Sequence, residues 1–424
     1  MALDLAGQLL AELTAVPSVQ PAAYAGSLRR TRETIGDIDL LVATGRPAEV
    51  MWAFCSSPRV IRVLAHGPTK AAVLTSHGVQ VDLRVVEPAV WGAALMYFTG
   101  SKPHNIRVRA IAVRAGLKLS EYGLFDAETG QQLAAATEEE VYSRLGLAWI
   151  PSALREDRGE IEAALAGLLP DLAQEGDIRG DLHMHTNLTD GAATLAQMVA
   201  AARARGYAYC AISDHAPQLS MERMTTGKML TQRQQLRDLE RSAGITLLHG
   251  TELNIAPDGT LDWDDDFLAG FDIVVASVHS QLRQPRDQMT ARLVRAISNP
   301  NVDIIGHPTT RLIGHRPPID ADLDQVFAAA ARTGTALEIN SFPDRLDLDG
   351  DLVRRAMHAG ARFAISTDAH AVPHLDYLKF GVATAQRGWA GKADVINTYP
   401  VEKLRRYLAG EARPRPGTSL ARRC

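Results

Sequence analysis

Residues 178–186 read IRGDLHMHT, the first of seven short apolar runs between residues 178 and 370. The other six are residues 207–215 (YAYCAISDH), 245–254 (ITLLHGTELN), 271–280 (FDIVVASVHS), 302–308 (VDIIGHP), 335–341 (TALEINS) and 361–370 (ARFAISTDAH). Segments with helical spacing, such as residues 195–205, lie between most of these runs. Alternating strands and helices predict a parallel sheet, and seven repeats predict a closed barrel.

Six of the seven runs end in a side chain that can bind a metal ion. Reactive side chains of such barrels lie at the C-terminal strand ends. The candidate ligands are His183, His185, Asp190, His215, Glu252, His279, His307, Asp368 and His370. A lone histidine there is more often structural, but clustered imidazoles lose hydration and repel one another when protonated. A cation removes both problems, and mixed imidazole and carboxylate ligands favour Zn²⁺ or Mn²⁺ over Mg²⁺ alone.

The composition is that of a globular protein with two or three domains, since 46% of its 424 residues are hydrophobic. No run of eighteen apolar residues occurs, which excludes a transmembrane helix, and we expect no secretory signal. Cys55, Cys210 and Cys424 have no spacing typical of a disulfide framework. We therefore expect a protein of the reducing cytoplasm.

Charge is unevenly distributed along the chain. The net charge is −4, yet residues 20–118 carry thirteen Lys and Arg against six Asp and Glu, a local balance of +7. A basic segment in an acidic chain indicates a polyanionic partner. An ordinary solvated face is the alternative interpretation.

Gly26 and Ser27 precede a cluster of arginines that includes Arg30. Free backbone N–H groups at a helix start, together with a hydroxyl, can cradle a phosphate. A Gly-Ser pair alone is a weak indication, because the dipeptide is common.

Asp37-Ile38-Asp39 would place two carboxylates on one face of a strand. A third carboxylate, Asp82, lies in an alternating run at residues 79–86 (VQVDLRVV). Carboxylates on adjacent strands repel unless cations lie between them, and such a set can hold two Mg²⁺ ions for phosphoryl transfer. The alternative is that Asp37 and Asp39 are turn residues after Gly36.

Residues 95–109 (LMYFTGSKPHNIRVR) complete an order of motifs: GS-x-x-R, DxD, a later strand Asp, then YFTGS-x-x-x-N. This order resembles the palm and thumb of family X DNA polymerases. The resemblance implies that Asp37, Asp39 and Asp82 bind Mg²⁺ or Mn²⁺. It assigns the β- and γ-phosphates of a dNTP to Gly26, Ser27 and Arg30, and the sugar and base edge to Tyr97, Phe98, Gly100 and Asn105. It assigns DNA to Lys102, Arg107 and Arg109.

From residue 178 onward, DLHMHT, SDH, Glu252, SVH, GHP and TDAH resemble the PHP domain (polymerase and histidinol phosphatase). The resemblance implies three Mn²⁺, Zn²⁺ or Fe ions and phosphoester hydrolysis. It assigns His183, His185, Glu252 and Asp368 to the first ion, Glu252, His279 and His307 to the second, and Asp190, His215 and His370 to the third. Asp214 is expected to support the ligands. Arg311 either meets a substrate phosphate or is a solvated loop arginine.

The two resemblances imply an α/β and α+β multidomain protein. We expect a nucleotidyltransferase-like palm (residues 1–101), a small thumb (102–150), a linker (151–177), a distorted (β/α)7 PHP barrel (178–385), and a C-terminal helix with a disordered tail (386–424). Bacterial members of the family carry lyase-like and fingers domains before the palm. This chain has room for one helix there, so we expect a weakened polymerase.

The expected function is DNA repair, with template-directed nucleotide addition at the palm and hydrolysis of DNA 3′ ends in the barrel. That hydrolysis is a 3′-5′ exonuclease, an AP endonuclease or a 3′ phosphatase activity. The expected partners are gapped or primer-template DNA and dNTP, with no membrane and a monomeric chain. The alternatives are a small-molecule phosphatase of the histidinol-phosphatase type, against which the basic palm argues, and a non-catalytic DNA-end binding module, against which the complete ligand sets argue.

Overall fold

The computed structural model describes residues 2–218 and 224–411. The chain divides into two compact units, Met1–Leu169 and Pro170–Cys424. The predicted fold class, an α/β and α+β multidomain chain with a seven-stranded barrel, is confirmed. The predicted domain boundaries stay a prediction, and the predicted disordered tail lies outside the described residues from 412 onward. Among the described residues, no helix is both long and apolar enough to cross a bilayer.

The first unit is built on a five-stranded mixed sheet of order β1-β2-β5-β4-β3. Its strands are β1 (Ala22–Tyr24), β2 (Ile38–Ala43), β3 (Val60–His66), β4 (Lys70–Thr75) and β5 (Gln80–Val86). The central strand β2 is apolar at nearly every position, because helices cover both of its faces. Leu40 and Val42 pack in one buried cluster with α1 (Ala2–Thr14) and α3 (Pro47–Cys55). Leu41 packs on the opposite face with α4 (Trp91–Thr99).

Further helices and a small sheet complete this unit. The short α2 (Gly26–Arg29) lies between β1 and β2, and α5 (Lys102–Arg114) follows α4 directly. The remaining elements are β6 (Leu117–Ser120), β7 (Gly123–Asp126), β8 (Gln132–Ala134), α6 (Glu138–Arg144) and α7 (Glu160–Ala166). The three strands form an antiparallel sheet of order β6-β7-β8.

The second unit contains seven parallel strands in sequential order, as the seven apolar runs predict. They are β9 (Gly180–Asp181), β10 (Tyr209–Ile212), β11 (Thr246–Asn254), β12 (Ile273–Ser277), β13 (Ile304–Ile305), β14 (Ala336–Asn340) and β15 (Phe363–Ser366). A parallel bridge between Met184 and Ala369 brings the chain after β9 beside the chain after β15. The barrel is therefore nearly closed, and every strand end points to one rim.

Helices connect successive strands of the barrel: α8 (Leu195–Ala204), α9 (Thr226–Ala243), α10 (Asp265–Leu268), α11 (Arg286–Ile297), α12 (Leu323–Thr333) and α13 (Gly350–His358), followed by α14 (Leu378–Arg387) and α15 (Val401–Leu408). One alternate set of strand residues packs against these helices. The other set, which includes Tyr209 and Val275, packs with Leu404 and Tyr407 of α15. Period-two alternation thus places apolar side chains on both faces of the barrel sheet.

Candidate metal centre and nucleotide site

All nine predicted ligands of the barrel meet at the rim formed by the C-terminal strand ends. Glu252 lies near the end of β11, and His215 pairs with it through a backbone bridge. One Glu252 oxygen, Oε1, lies 3.0 Å from His307 Nε2 and 3.1 Å from His279 Nε2. The other, Oε2, lies 3.0 Å from His215 Nδ1, 3.3 Å from His183 Nε2 and 3.5 Å from His185 Nε2. One carboxylate therefore contacts five imidazoles.

Asp368 and Asp190 extend this centre in two directions. Asp368 Oδ1 lies 3.2 Å from His185 Nε2, and Asp190 Oδ2 lies 3.2 Å from His215 Nε2 and 3.1 Å from His370 Nε2. Three groups have donor atoms close enough together to hold an ion: His183, His185 and Asp368; His215, Glu252 and His279; and His185, Asp190, His215 and His370. The partition that the resemblance implied differs at four residues, and it stays a prediction. Among the described residues, His185 and His215 each join a second group, Glu252 is absent from the group of His183, and His307 belongs to no group.

The chemistry of this donor set fits a group of bound cations. Buried ring nitrogens of His183, His185, His215, His279 and His307 make no hydrogen bond of normal geometry to any described residue. Buried polar atoms without partners cost free energy, so their concentration at one rim indicates a bound ligand. His307 and Asp368 also adopt positive φ angles of 27° and 53°. Non-glycine residues with such a backbone conformation are typical of functional sites.

Burial and neighbouring charges raise the pKa values of some of these residues and lower those of others. Burial alone would lower the pKa of His215, but Glu252 and Asp190 raise it to about 10. Burial and the facing rings of His215 and His370 lower the pKa of His185 to about 4. Burial would raise the pKa of Glu252, yet His279, His183 and His215 hold it well below its usual range. Cations among neutral imidazoles and charged carboxylates would satisfy all of these groups at once.

Sequence reasoning missed two supporting residues on β14. Glu338 Oε1 lies 2.7 Å from His183 Nδ1, and its Oε2 accepts a hydrogen bond of 2.6 Å from the His307 backbone N–H. Asn340 donates to Glu338 and to Asp368 Oδ2, in each case at 3.1 Å. These contacts orient a ligand ring and two ligand loops. The only signal in the sequence is that two polar residues, two positions apart, share one face of an apolar strand.

Asp214 supports the loop that carries His183 and His185. Its carboxylate accepts hydrogen bonds from the Thr186 backbone N–H (2.8 Å), the Thr186 hydroxyl (2.6 Å) and the Thr189 hydroxyl (2.6 Å), as well as from Gln232. Because these bonds fix the turn after the DLHMHT motif, they position the ligands that precede it.

The structure corrects the interpretation of Arg311. Its guanidinium donates to the Arg345 carbonyl at 2.8 Å and to Asp349 at 3.3 Å, so it is neither solvated nor aimed at a substrate. Arg345 lies at the centre instead, with Nε 3.6 Å from Asp368 Oδ2.

In the first unit, the three predicted carboxylates come together beside the face of β2 that α4 covers. Asp39 and Asp82 are paired neighbours on the parallel strands β2 and β5, and Asp37 immediately precedes β2. Burial and the charges of Asp37 and Asp82 raise the pKa of Asp39 to about 6. Three mutually repelling carboxylates fit a site for divalent cations. The alternative that both Asp37 and Asp39 are turn residues is therefore wrong for Asp39, which lies on β2, and holds only for Asp37.

The Gly26-Ser27 turn lies directly against this carboxylate group. Gly26 has a φ of +57°, and a Cβ built on it would lie 2.0 Å from Asp39 Oδ2. Arg30 does not point freely toward this turn, because its Nε lies 3.1 Å from Glu156 Oε1 and it also donates to the Thr99 carbonyl. Gly100 packs at the same place, since a Cβ there would lie 3.2 Å from Arg30.

Gly26→Ala is expected to raise the dissociation constant for dATP with Mg²⁺ at this site at least about tenfold. The added methyl would displace Asp39, and alanine is strained at positive φ. Gly45→Ala is the matched control, because its Cβ would meet no atom within 4 Å. Wild-type affinity in Gly26→Ala, measured by fluorescence titration, would contradict the assignment of the turn to a nucleotide phosphate.

The aromatic pair expected at the nucleotide is present on α4. The Tyr97 and Phe98 ring centroids lie 5.1 Å apart, edge to face, and the Arg109 guanidinium lies 4.9 Å from the Tyr97 ring. Asn105 donates to the Tyr97 carbonyl at 2.8 Å. These four side chains therefore form one group beside the turn at Gly100.

The other two basic residues predicted to contact DNA lie on α5. Lys102 is exposed at its start, whereas Arg107 pairs with Asp157 at 3.1 Å and with Glu162. Sequence reasoning also missed a buried ion network: Glu138 lies 2.7 Å from both Arg29 and Arg155. Burial would raise the pKa of Glu138, but the two arginines lower it to about 2. This network fixes Arg29 immediately before Arg30.

Comparison with known proteins agrees with both halves of this description. Residues 94–156 match the model of the DNA polymerase beta thumb, and residues 181–342 match the PHP domain. A polymerase palm and thumb followed by a PHP barrel define the class of protein. The chain is 40% identical over 413 residues to the DNA polymerase/3′-5′ exonuclease PolX of Bacillus subtilis strain 168, covering 96% of this chain and 72% of that protein. It belongs to the PolX family of DNA polymerases.

The barrel alone has relatives of another kind. A probable phosphatase of Shewanella sediminis is 30% identical over 240 residues, which is 54% of this chain and 93% of that protein. A probable phosphatase of a Thermoanaerobacter species is 29% identical over 246 residues, which is 55% of this chain and 95% of that protein.

Proposed function

We propose that this chain is a DNA repair enzyme that hydrolyses DNA 3′ ends in its barrel and adds nucleotides at its palm. The observation that carries the first activity is the convergence of five histidines on Glu252 with unpartnered ring nitrogens. The PolX relative, named as both polymerase and 3′-5′ exonuclease, supports the pairing of the two activities. We place the protein in the cytoplasm as a monomer, where Cys55 and Cys210 remain free thiols.

In the barrel, the metal ions would be held by the nine ligands around Glu252. Bound there, they lower the pKa of water and offset the charge of a phosphate ester. In the exonuclease reaction, water adds to phosphorus, the bond from phosphorus to O3′ breaks, and O3′ takes a proton. A nucleoside 5′-monophosphate leaves, and the shortened strand ends in a 3′-hydroxyl. An AP endonuclease reaction uses the same attack at an abasic site within a strand, and a 3′ phosphatase reaction uses it on a terminal 3′-phosphate and releases inorganic phosphate.

In the palm, Asp37, Asp39 and Asp82 would hold Mg²⁺ or Mn²⁺. The backbone of Gly26 and the hydroxyl of Ser27 would bind the triphosphate, and the group that contains Tyr97 and Asn105 would contact the sugar and base. The primer 3′-hydroxyl attacks the α-phosphorus, and pyrophosphate leaves. Arg30 would contact the phosphates only after its ion pair with Glu156 breaks.

The barrel's phosphatase relatives favour a second candidate, hydrolysis of a small phosphate monoester. Two parallel reactions separate the candidates. One contains a 5′-labelled primer-template with Mn²⁺ and dNTPs, and the other contains histidinol phosphate. We expect both extension and shortening of the primer. An unchanged primer with rapid release of phosphate from the small ester would make the protein a small-molecule phosphatase, and no reaction in either tube would leave a DNA-end binding module.

The purified protein is expected to retain about three transition-metal ions per chain, because three groups of donor atoms lie close enough to hold one each. Elemental analysis after purification without chelators measures this number. Fewer than one ion per chain would contradict the metal centre.

A further inference from the structure

The loop after β14 places a cationic side chain with an open donor beside the metal centre. Arg345 Nε lies 3.6 Å from Asp368 Oδ2, and Arg345 Nη1 is buried without a hydrogen-bond partner among the described residues. A hydrogen bond of 2.8 Å from its backbone N–H to the Phe342 carbonyl holds the loop in a tight turn. A desolvated guanidinium nitrogen requires an acceptor, and a phosphate oxygen suits its geometry.

The same loop carries one member of an aromatic cluster, which we define as Phe342, His374 and Tyr377. The Phe342 ring centroid lies 5.1 Å from that of His374 and 5.3 Å from that of Tyr377, and the latter two stack at 5.2 Å. All three side chains are partly exposed. The cluster therefore offers ring surface to a flat ligand.

Hydrogen bonds attach this aromatic cluster directly to the metal ligands. The Phe342 backbone N–H donates to Asn340 Oδ1 at 3.0 Å, and the Asn340 amide donates to Asp368 at 3.1 Å. On the other side, the His370 backbone N–H donates to His374 Nδ1 at 3.3 Å. The aromatic cluster is thus tied to Asp368 and His370, and the open arginine lies beside Asp368.

We propose that this loop and the aromatic cluster together form the subsite for the terminal nucleotide of a DNA 3′ end. Arg345 contacts the phosphate that is attacked, and the aromatic cluster stacks on the base, in the manner of single-strand binding surfaces. The proposal rests on the proposed hydrolysis in the barrel and assigns the residues that hold its substrate. Inorganic phosphate engages only Arg345, because it has no ring to stack.

Binding of dAMP and of inorganic phosphate to the metal-loaded protein tests this subsite by calorimetric titration. Phe342→Ala and Tyr377→Ala are expected to weaken dAMP binding roughly tenfold, since stacking on an aromatic side chain contributes at that scale. In these two variants the ratio of dAMP affinity to phosphate affinity should fall by the same factor, because phosphate binding does not involve the aromatic cluster. Arg345→Gln should weaken both ligands, and Arg345→Lys should restore part of that loss.

Phe267→Ala is the matched control, because Phe267 belongs to a separate aromatic trio with Trp263 and Phe271. Metal content and melting temperature are measured for every variant. The subsite is wrong if Phe342→Ala and Tyr377→Ala leave the dAMP-to-phosphate ratio at the wild-type value, or if Arg345→Gln leaves phosphate affinity unchanged. If the wild type binds dAMP as described yet cleaves no DNA, the proposed hydrolysis fails and the subsite stands.

Discussion

Hydrolysis of DNA 3′ ends is expected to fall by about a thousandfold or more in Glu252→Ala, because each tenfold loss corresponds to about 1.4 kcal/mol of barrier and a shared metal ligand contributes several kcal/mol. Glu252 contacts five of the candidate imidazole ligands. Its removal leaves those histidines without their common counter-charge, so metal content should fall as well. Release of labelled nucleotide and elemental analysis measure the two effects.

Glu240→Ala is the control for that variant, because Glu240 lies in the same unit and accepts a hydrogen bond from the Leu247 backbone N–H rather than from a ligand. It should retain the metal and the hydrolysis. Full hydrolysis by Glu252→Ala at wild-type metal content would remove Glu252 from the site.

Nucleotide addition is expected to disappear in Asp39→Asn, while hydrolysis in the barrel continues at the wild-type rate. Asp39 is the carboxylate that lies beside Asp82 on the next strand and against Gly26. Primer extension with a 5′-labelled strand, performed with the hydrolytic site inactivated by Glu252→Ala, measures the loss. Extension by the double variant at the rate of Glu252→Ala alone would contradict the palm assignment.

The same variant should not unfold the protein. Burial and neighbouring charges raise the folded-state pKa of Asp39 to about 6, so its ionisation opposes folding at neutral pH. A carboxyl group with a raised folded pKa stabilises the protein only as pH falls below that value. Without divalent cations at pH 7, Asp39→Asn should therefore melt at the wild-type temperature or above it, which separates lost chemistry from lost structure.

The barrel could be predicted because two independent signals coincide in its sequence. Apolar runs locate the strands, and polar motifs locate the strand ends. The predicted runs at residues 178–186 and 302–308 are longer than the strands β9 and β13, which have two residues each. In both runs the chain leaves the sheet early to carry His183, His185 and His307 to the rim. In these two runs the hydrogen bonds between strands stop before the candidate metal ligands. The apolar pattern of each run continues past that point, so it does not predict where the strand ends.

Residues brought together only by folding could not be found in the same way. Arg345 is one arginine among many in the sequence, and only the closing of the barrel places its loop beside Asp368. Arg30 was expected at the nucleotide phosphates, but Glu156, 126 residues away, pairs with it. Glu338 lies in a run without a motif. A sequence motif identifies functional residues that lie close together in the chain. Charged residues that pair across distant segments can be recognised only from the structure.

The most direct measurement uses one 5′-labelled primer-template, Mn²⁺ and dNTPs with the wild type, Glu252→Ala and Asp39→Asn side by side. If hydrolysis belongs to the barrel and nucleotide addition to the palm, the wild type produces both shorter and longer products. Glu252→Ala then produces only longer products, and Asp39→Asn only shorter ones. Loss of shortening in Asp39→Asn together with its survival in Glu252→Ala would place the nuclease in the palm and contradict the account.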